Sequence, residues 1–288
     1  MGWIFLALVI VGYVAMNFVM KLGSLKGHAA PALTGALFGL ASLFCLAFLI
    51  VRGEPLLAST KLVLLAVAGG LGGAVAYFCF LSALKIGNYA LTISIYTMTF
   101  MIPVVFSVIF WKRPLGGVLA AGLACIIVGI AMITTAGSGR EEKKTGLWLR
   151  WILFLGAAFF LTGIPQLSQA AAVRLGAINL WFYLFLTFLC GALAFGIYFV
   201  IRKIRLGKGL YTFGALAAAG SVAGNFFTMR SLSKLPETIV FPVSLAAPII
   251  AAVLLSLLFF KEKIKRLGYL GILVGLAGII LLALARAQ

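Results

Sequence analysis

The chain has 288 residues, 64% of them hydrophobic and 10% charged, with a mean hydropathy of +1.23. A water-soluble domain is about half apolar and a quarter charged, so these proportions exclude one and describe a chain built for lipid. The 23 Lys and Arg against five acids give a net charge of +18, a balance that in a soluble protein would suggest nucleic acid. Here the basic residues gather in short polar breaks such as RKIRLGKG (202–209) and KEKIKR (261–266), where anionic headgroups and topology account for them. No nucleic-acid motif is present, and nucleic acid is not expected as a partner.

The first apolar run, 3–20, has neither a basic leader nor an obvious small-residue cleavage site, so it is expected to be retained as a span. Runs at 30–51, 62–84, 89–111 and 116–136 follow, separated by breaks as brief as KIGN and KRPLG. Each is of the length needed to cross a hydrocarbon core of roughly 30 Å. The longest polar linker, SGREEKKTG (138–146), comes next. Beyond it lie runs at 147–172, 179–201, 211–233, 237–260 and 266–285. The expected fold is all-α and integral to the membrane, with ten transmembrane helices. Cys45, Cys79, Cys125 and Cys190 all fall inside apolar runs and read as small core hydrophobes, not as disulfide partners.

Laying the first half on the second at an offset of 149 pairs Phe78 with Phe227, Ser82 with Ser231, Lys85 with Lys234, Ser107 with Ser256, Lys112 with Lys261, Gly122 with Gly271 and Gly129 with Gly278. FWKRPLGGVLAAGLACIIVGI then overlies FFKEKIKRLGYLGILVGLAGI without a gap. The expected organisation is a five-helix repeat over 1–137, a linker over 138–146 and a second five-helix repeat over 147–288. An odd number of spans per repeat makes the second enter from the opposite side, the inverted arrangement of many secondary transporters.

The runs ALKIGNYALTISIYTMTF (83–100) and SLSKLPETIVFPVSLAAPIIAAVLLSLLFFKEKI (231–264), each followed by a Gly-x6-Gly helix, resemble the two EamA-type repeats of the drug/metabolite transporter superfamily. The second run keeps the family's Pro at Pro248 and its Glu at Glu262. The first has Thr99 and Arg113 in those places, with a proline displaced to Pro103. The resemblance implies a central cavity lined by the first, third, fourth, sixth, eighth and ninth spans, with the fifth and tenth packed outside.

The polar residues select much the same set. A polar side chain facing lipid is costly, so recurrence at helical spacing marks a wet or protein-lined face. Tyr13, Asn17 and Lys21 make such a stripe on the first span, and Thr92, Tyr96 and Thr99 on the fourth. Thr162, Gln166 and Gln169 do so on the sixth, and Ser221, Asn225 and Thr228 on the eighth. Spans two, five, seven and ten show only isolated Ser, Thr or Cys. The expected substrate-binding residues are Tyr13, Asn17, Tyr77, Thr92, Tyr96, Thr99, Gln166, Gln169, Asn225 and Thr228. The competing reading is that hydroxyls bond the preceding turn and amides glue helices together. Lys21 lies where snorkelling accounts for it, and Lys85, Arg174, Arg230 and Lys234 lie near span ends.

Within LTGIPQLSQ (161–169), Pro165 has no amide hydrogen, so the helix is expected to bend or open at Gly163–Pro165. Pro242 and Pro248 are expected to act alike in the ninth span. Gly35-x3-Gly39, Gly69-x3-Gly73 and Gly220-x3-Gly224 read as close helix contacts.

The acids Glu54, Glu141, Glu142, Glu237 and Glu262 and the single His28 lie in loops or at span ends. No metal cluster, nucleophile–base pair or nucleotide motif is formed, so no cofactor, no metal and no enzymatic activity are expected. With no carboxylate in mid-span, a proton-coupled cationic-drug antiporter is disfavoured. The expected protein is a secondary transporter of a small polar metabolite, amino acid-like or an organic acid, working by alternating access around a midplane cavity. A carrier of lipids or lipid-linked sugars is the alternative. Its partners are membrane lipids and a small-molecule substrate, as a monomer or weak homodimer in a prokaryotic inner or cell membrane. Of the Lys and Arg, 8 fall on the side of the termini and 15 on the other, so the termini are expected to face outward.

Overall fold

The computed structural model describes residues 1–56, 58–87, 89–137, 147–176, 178–204, 207, 209–259 and 265–285. The linker 138–146, with Glu141 and Glu142, and the break carrying Lys261 and Glu262 lie outside them. Among the described residues eleven α-helices follow in order: α1 (Gly2–Leu25), α2 (Ala30–Arg52), α3 (Thr60–Ile86), α4 (Tyr89–Thr97), α5 (Met101–Ile109), α6 (Gly117–Gly137), α7 (Trp148–Arg174), α8 (Leu180–Arg202), α9 (Leu210–Leu232), α10 (Glu237–Phe259) and α11 (Arg266–Leu284). Local chemistry sets their ends. Gly53, at φ 62°, takes the left-handed conformation that stops α2. The Asn179 side chain accepts the Phe182 amide at 2.9 Å and starts α8.

Helices α4 and α5 form one span, the fourth, interrupted by a 3-10 turn over Met98–Phe100. Pro103 explains it: its ring displaces the carbonyl four residues back, that of Thr99, inside the turn. The sequence placed breaks elsewhere. Across Gly163 and Pro165 in α7, and across Pro242 and Pro248 in α10, where a bend or an opening was expected, the chain is α-helical throughout. An interior proline removes one backbone bond, and these helices continue on either side of it.

Contacts divide the chain into two compact units, Met1–Ala74 with Ile164–Leu235, and Val75–Gly163 with Pro236–Gln288. Two of the three crossings fall inside helices, α3 and α7, just after the Gly72–Gly73 pair and just before Pro165. Each unit draws helices from both halves of the sequence.

In the first unit α1 packs on α9 through glycine. A methyl group on Gly12 would lie 2.7 Å from the Gly224 nitrogen, and one on Gly220 would lie 2.7 Å from the Gly12 oxygen. Such close approach maximises backbone van der Waals contact, which matters when lipid removes the hydrophobic drive for association. Helix α2 packs on α8 through Phe38, which meets Phe188 and Phe195 at ring separations of 5.8 and 5.6 Å. Gly35 abuts Phe195 and Phe199, whereas Gly39, expected at the same contact, has open space around it. Gly72 and Gly73 lie against Ile164 and Pro165.

In the second unit α6 and α11 make a reciprocal crossing. A methyl group on Gly122 would sit 3.0 Å from the Gly278 oxygen, and one on Gly278 2.8 Å from the Gly122 oxygen. Gly129 and Gly271 stand in the same relation, each 2.8 Å from the other's oxygen. These contacts run antiparallel, and the offset of 149 turns one into the other. Helix α6 therefore meets its own repeat equivalent head to tail, the signature of an inverted pair. Apolar side chains such as Ile4, Val11, Phe160 and Leu273, each more than 60% exposed, clothe the outside. Eight helices are long and apolar enough to cross a membrane among the described residues, with shorter apolar stretches in the fourth and ninth spans.

Candidate functional site

The expected site residues fall into the two units, and each unit is built separately. The first holds Tyr13, Asn17, Gln166, Gln169, Asn225 and Thr228. Thr228 Oγ1 donates to the Gly224 carbonyl at 2.8 Å, leaving its lone pairs for the Tyr13 hydroxyl, with which it is hydrogen-bonded. Gln169 Nε2 donates to Asn225 Oδ1 at 2.7 Å, and Asn225 Nδ2 donates to the Ser221 carbonyl at 2.9 Å. The fold thus brings together two pairs of the expected site residues, Tyr13 with Thr228 on α1 and α9 and Gln169 with Asn225 on α7 and α9. Gln166 and Gln169 are buried, at 8% and 7% exposure. Asn17 lies one turn beyond Tyr13, is half-buried, and makes no hydrogen bond among the described residues.

A second polar group in this unit was not anticipated. Ser168 and Tyr183 share a hydrogen bond of 2.5 Å. Thr187, one turn along α8, donates to the Tyr183 carbonyl at 2.9 Å and approaches the Ala66 carbonyl at 3.3 Å. Span seven is therefore not devoid of organised polar groups. The i, i+4 spacing of Tyr183 and Thr187 was the available signal. Gly69 explains how α3 fits here: a methyl group on it would lie 2.5 Å from Ser168 Oγ.

The second unit holds Tyr77, Thr92, Tyr96 and Thr99. Tyr96 stacks on Phe80 at 4.0 Å and is hydrogen-bonded to Thr162; Thr162 Oγ1 donates to the Ala158 carbonyl at 2.7 Å, so it accepts from the tyrosine. Tyr77 and Phe80 have ring centroids 6.3 Å apart. Thr92 is fully buried and accepts from Trp151 Nε1 at 2.9 Å. Thr99 is buried in the 3-10 turn. Gly163 packs directly on Ile102, so this glycine serves a helix contact between α7 and α5. Glu237, which the sequence places at the start of the ninth span, has a side chain 5% exposed and pairs with Arg113 at 3.3 Å. No group of three or more His, Cys, Asp or Glu residues suited to a metal ion occurs among the described residues.

Apolar outer surfaces, span-length helices and buried amides bonded from helix to helix define a multi-pass helical membrane protein. A solved crystal structure, 16% identical and superposing with a TM-score of 0.81 over 99% of this chain and 96% of its own, shares the fold. No curated protein matches the sequence. The EamA-like transporter family model matches residues 1–135 and 148–284. The chain belongs to that family, within the drug/metabolite transporter superfamily, and is a membrane transporter with two repeats.

Proposed function

We propose that the protein is a secondary transporter for a small polar metabolite carrying amide- or carboxylate-type hydrogen-bonding groups, amino acid-like or an organic acid, moved by alternating access. The observation that carries this reading is Asn17. A half-buried amide on a membrane-crossing helix, without a hydrogen bond among the described residues, is costly unless water or a ligand satisfies it. Gln166, Gln169, Asn225, Tyr13 and Thr228 supply further donors and acceptors in the same unit. Tyr77, Thr92, Tyr96 and Thr99 are a second polar surface, and Gly163, Pro165, Pro242 and Pro248 are assigned to movement. The repeats 1–137 and 147–288 act as the two exchanging halves of the sequence in this reading.

The test is ligand stabilisation. Purified protein is heated with a panel of amino acids and organic acids, and a true substrate raises Tm with concentration. Asn17→Leu should keep the unliganded Tm and lose the substrate-dependent rise. A panel that shifts wild type and Asn17→Leu equally would sink the assignment. The second reading, a lipid-type carrier, is favoured by one feature: a cleft of about 290 Å³ between α5 and α7, lined by apolar side chains including Ile102, Phe106, Phe110, Phe159 and Phe160. Scrambling of a labelled lipid between leaflets of proteoliposomes, with no response to any polar solute, would select it.

A further inference from the structure

A cavity of about 380 Å³ in the second unit is bordered by Arg113, Gly116, Val118, Pro236, Thr238 and Ile239, among others. Three independent sources of positive potential meet there. The first is Arg113. Lys112 takes a left-handed backbone at φ 51°, and the Arg113 amide bonds the Ser107 carbonyl at 3.1 Å, folding the chain back at the end of α5. Nε of Arg113 donates to Glu237 Oε2 at 3.3 Å. Its two terminal nitrogens make no hydrogen bond among the described residues, and the side chain is 44% exposed.

The second and third sources are the N-termini of α6 and α10, whose opening residues border the same space. First-turn amides of an α-helix have no acceptor within the helix, and each terminus carries roughly half a positive charge. The C-terminus of α11, whose capping residue Ala285 also borders the space, carries roughly half a negative charge, so the guanidinium and two helix N-termini, set against it and the Glu237 carboxylate, leave about half a positive charge in excess. Side chains are missing where room is needed, since a methyl group on Gly116 or Gly117 would meet nothing within 4 Å.

Thr238 supplies the observation that points to a ligand. It is 3% exposed, borders the cavity, and its hydroxyl makes no hydrogen bond among the described residues. A hydroxyl without a partner on the wall of this space, bordered also by a guanidinium and two helix N-termini, is matched by an anion with several acceptor oxygens. Donors arriving from a guanidinium, a hydroxyl and two helices converge from different directions, which suits a tetrahedral anion better than a planar one. The apolar walls from Val118 and Ile239 suit a ligand with a hydrocarbon stem, and the cavity lies at helix ends, the level of lipid headgroups.

We propose that this cavity binds a phosphate-type anion, presented by the headgroup of an anionic membrane lipid. The test uses the full chain in detergent, titrated with phosphatidylglycerol, with phosphatidylcholine as the neutral-lipid control, and with inorganic phosphate against chloride of equal ionic strength. Phosphatidylglycerol should raise Tm at lower concentration than phosphatidylcholine. Thr238→Val, nearly isosteric, should weaken that response roughly 10-fold, as expected for a lost hydrogen bond to a charged group. Gly116→Leu, which fills the cavity while leaving Arg113 and Glu237 in place, should abolish it. The same variant-sensitive shift with inorganic phosphate alone would confirm the anion site and assign it to the free ion. Responses to both anions that are unchanged in Thr238→Val and Gly116→Leu, or absent from wild type, would overturn the proposal.

Discussion

Gln169 on α7 hydrogen-bonds Asn225 on α9, amide to amide, at 2.7 Å. The bond satisfies only part of either side chain, since a primary amide offers two donors and two acceptor lone pairs. Asn225 Nδ2 is engaged as well, by the Ser221 carbonyl, so the Gln169 carbonyl oxygen is the group left over, and substitutions at this pair separate the gluing role of intramembrane amides from a binding role.

Replacing Gln169 with Leu should lower both quantities. A neutral hydrogen bond is worth about 0.5–1.5 kcal/mol, so apparent substrate affinity should fall roughly 3- to 10-fold, with a stability loss of about 1 kcal/mol from the broken pair. Gln166→Leu should reduce affinity by a similar factor. Isothermal binding and thermal melts on the same preparations read the two effects separately. Lower stability with unchanged affinity in both variants would leave these amides as glue.

Pro165→Ala restores an amide donor facing the Leu161 carbonyl in a helix that is already continuous. Thermal stability should hold or rise, because an interior proline costs about 3 kcal/mol relative to alanine where no compensation exists. Transport should slow, since Pro165 sits beside the point where α7 passes between units. Initial rates of counterflow in liposomes, compared at saturating substrate, decide it.

Glycine contacts give opposite outcomes at two positions. Gly129→Ala places a methyl group 2.8 Å from the Gly271 oxygen and should cost roughly 1–3 kcal/mol as overpacking. Gly39→Ala meets nothing within 4 Å on α2 and should stabilise by about 0.5–1 kcal/mol through helix propensity. Melting temperatures of the two variants should move in opposite directions.

Arg113 and Glu237 should respond asymmetrically. Arg113→Gln leaves a buried carboxylate without this cation, whereas Glu237→Gln leaves a half-exposed guanidinium that water can solvate. The first should lower Tm more than the second. Accumulation of substrate should persist in both Glu237→Gln and wild type when the pH gradient is collapsed, because no Asp or Glu lies in mid-span. Abolished accumulation with intact exchange would reveal a proton site.

The charge count favours termini on the outer face. A C-terminal reporter active only in the cytoplasm should therefore be silent, and activity would reverse the orientation.

Span positions were legible because a hydrocarbon solvent leaves a long apolar run few alternatives: the expected 179–201 and 211–233 became Leu180–Arg202 and Leu210–Leu232. The repeat was legible in spaced glycines, whose contacts are backbone to backbone. What escaped depended on distant partners. Thr92 meets Trp151 across 59 residues and Arg113 meets Glu237 across 124, separations that no local spacing encodes. The 3-10 turn escaped for another reason. Pro103, Pro165, Pro242 and Pro248 look alike in sequence, and only the first is accompanied by a change of helix type.

The crossing of α6 and α11 is self-complementary: Gly122 against Gly278 and Gly129 against Gly271 are one contact seen from its two ends. A joint of that kind does not need two different sequences to close it. A chain carrying a single such helix would make the same contact with a second copy inserted the other way up. Fusing the two copies through a linker fixes their opposed orientations in one polypeptide, and each half is then free to diverge, as Arg113 and Thr99 have from Glu262 and Pro248 at the paired positions.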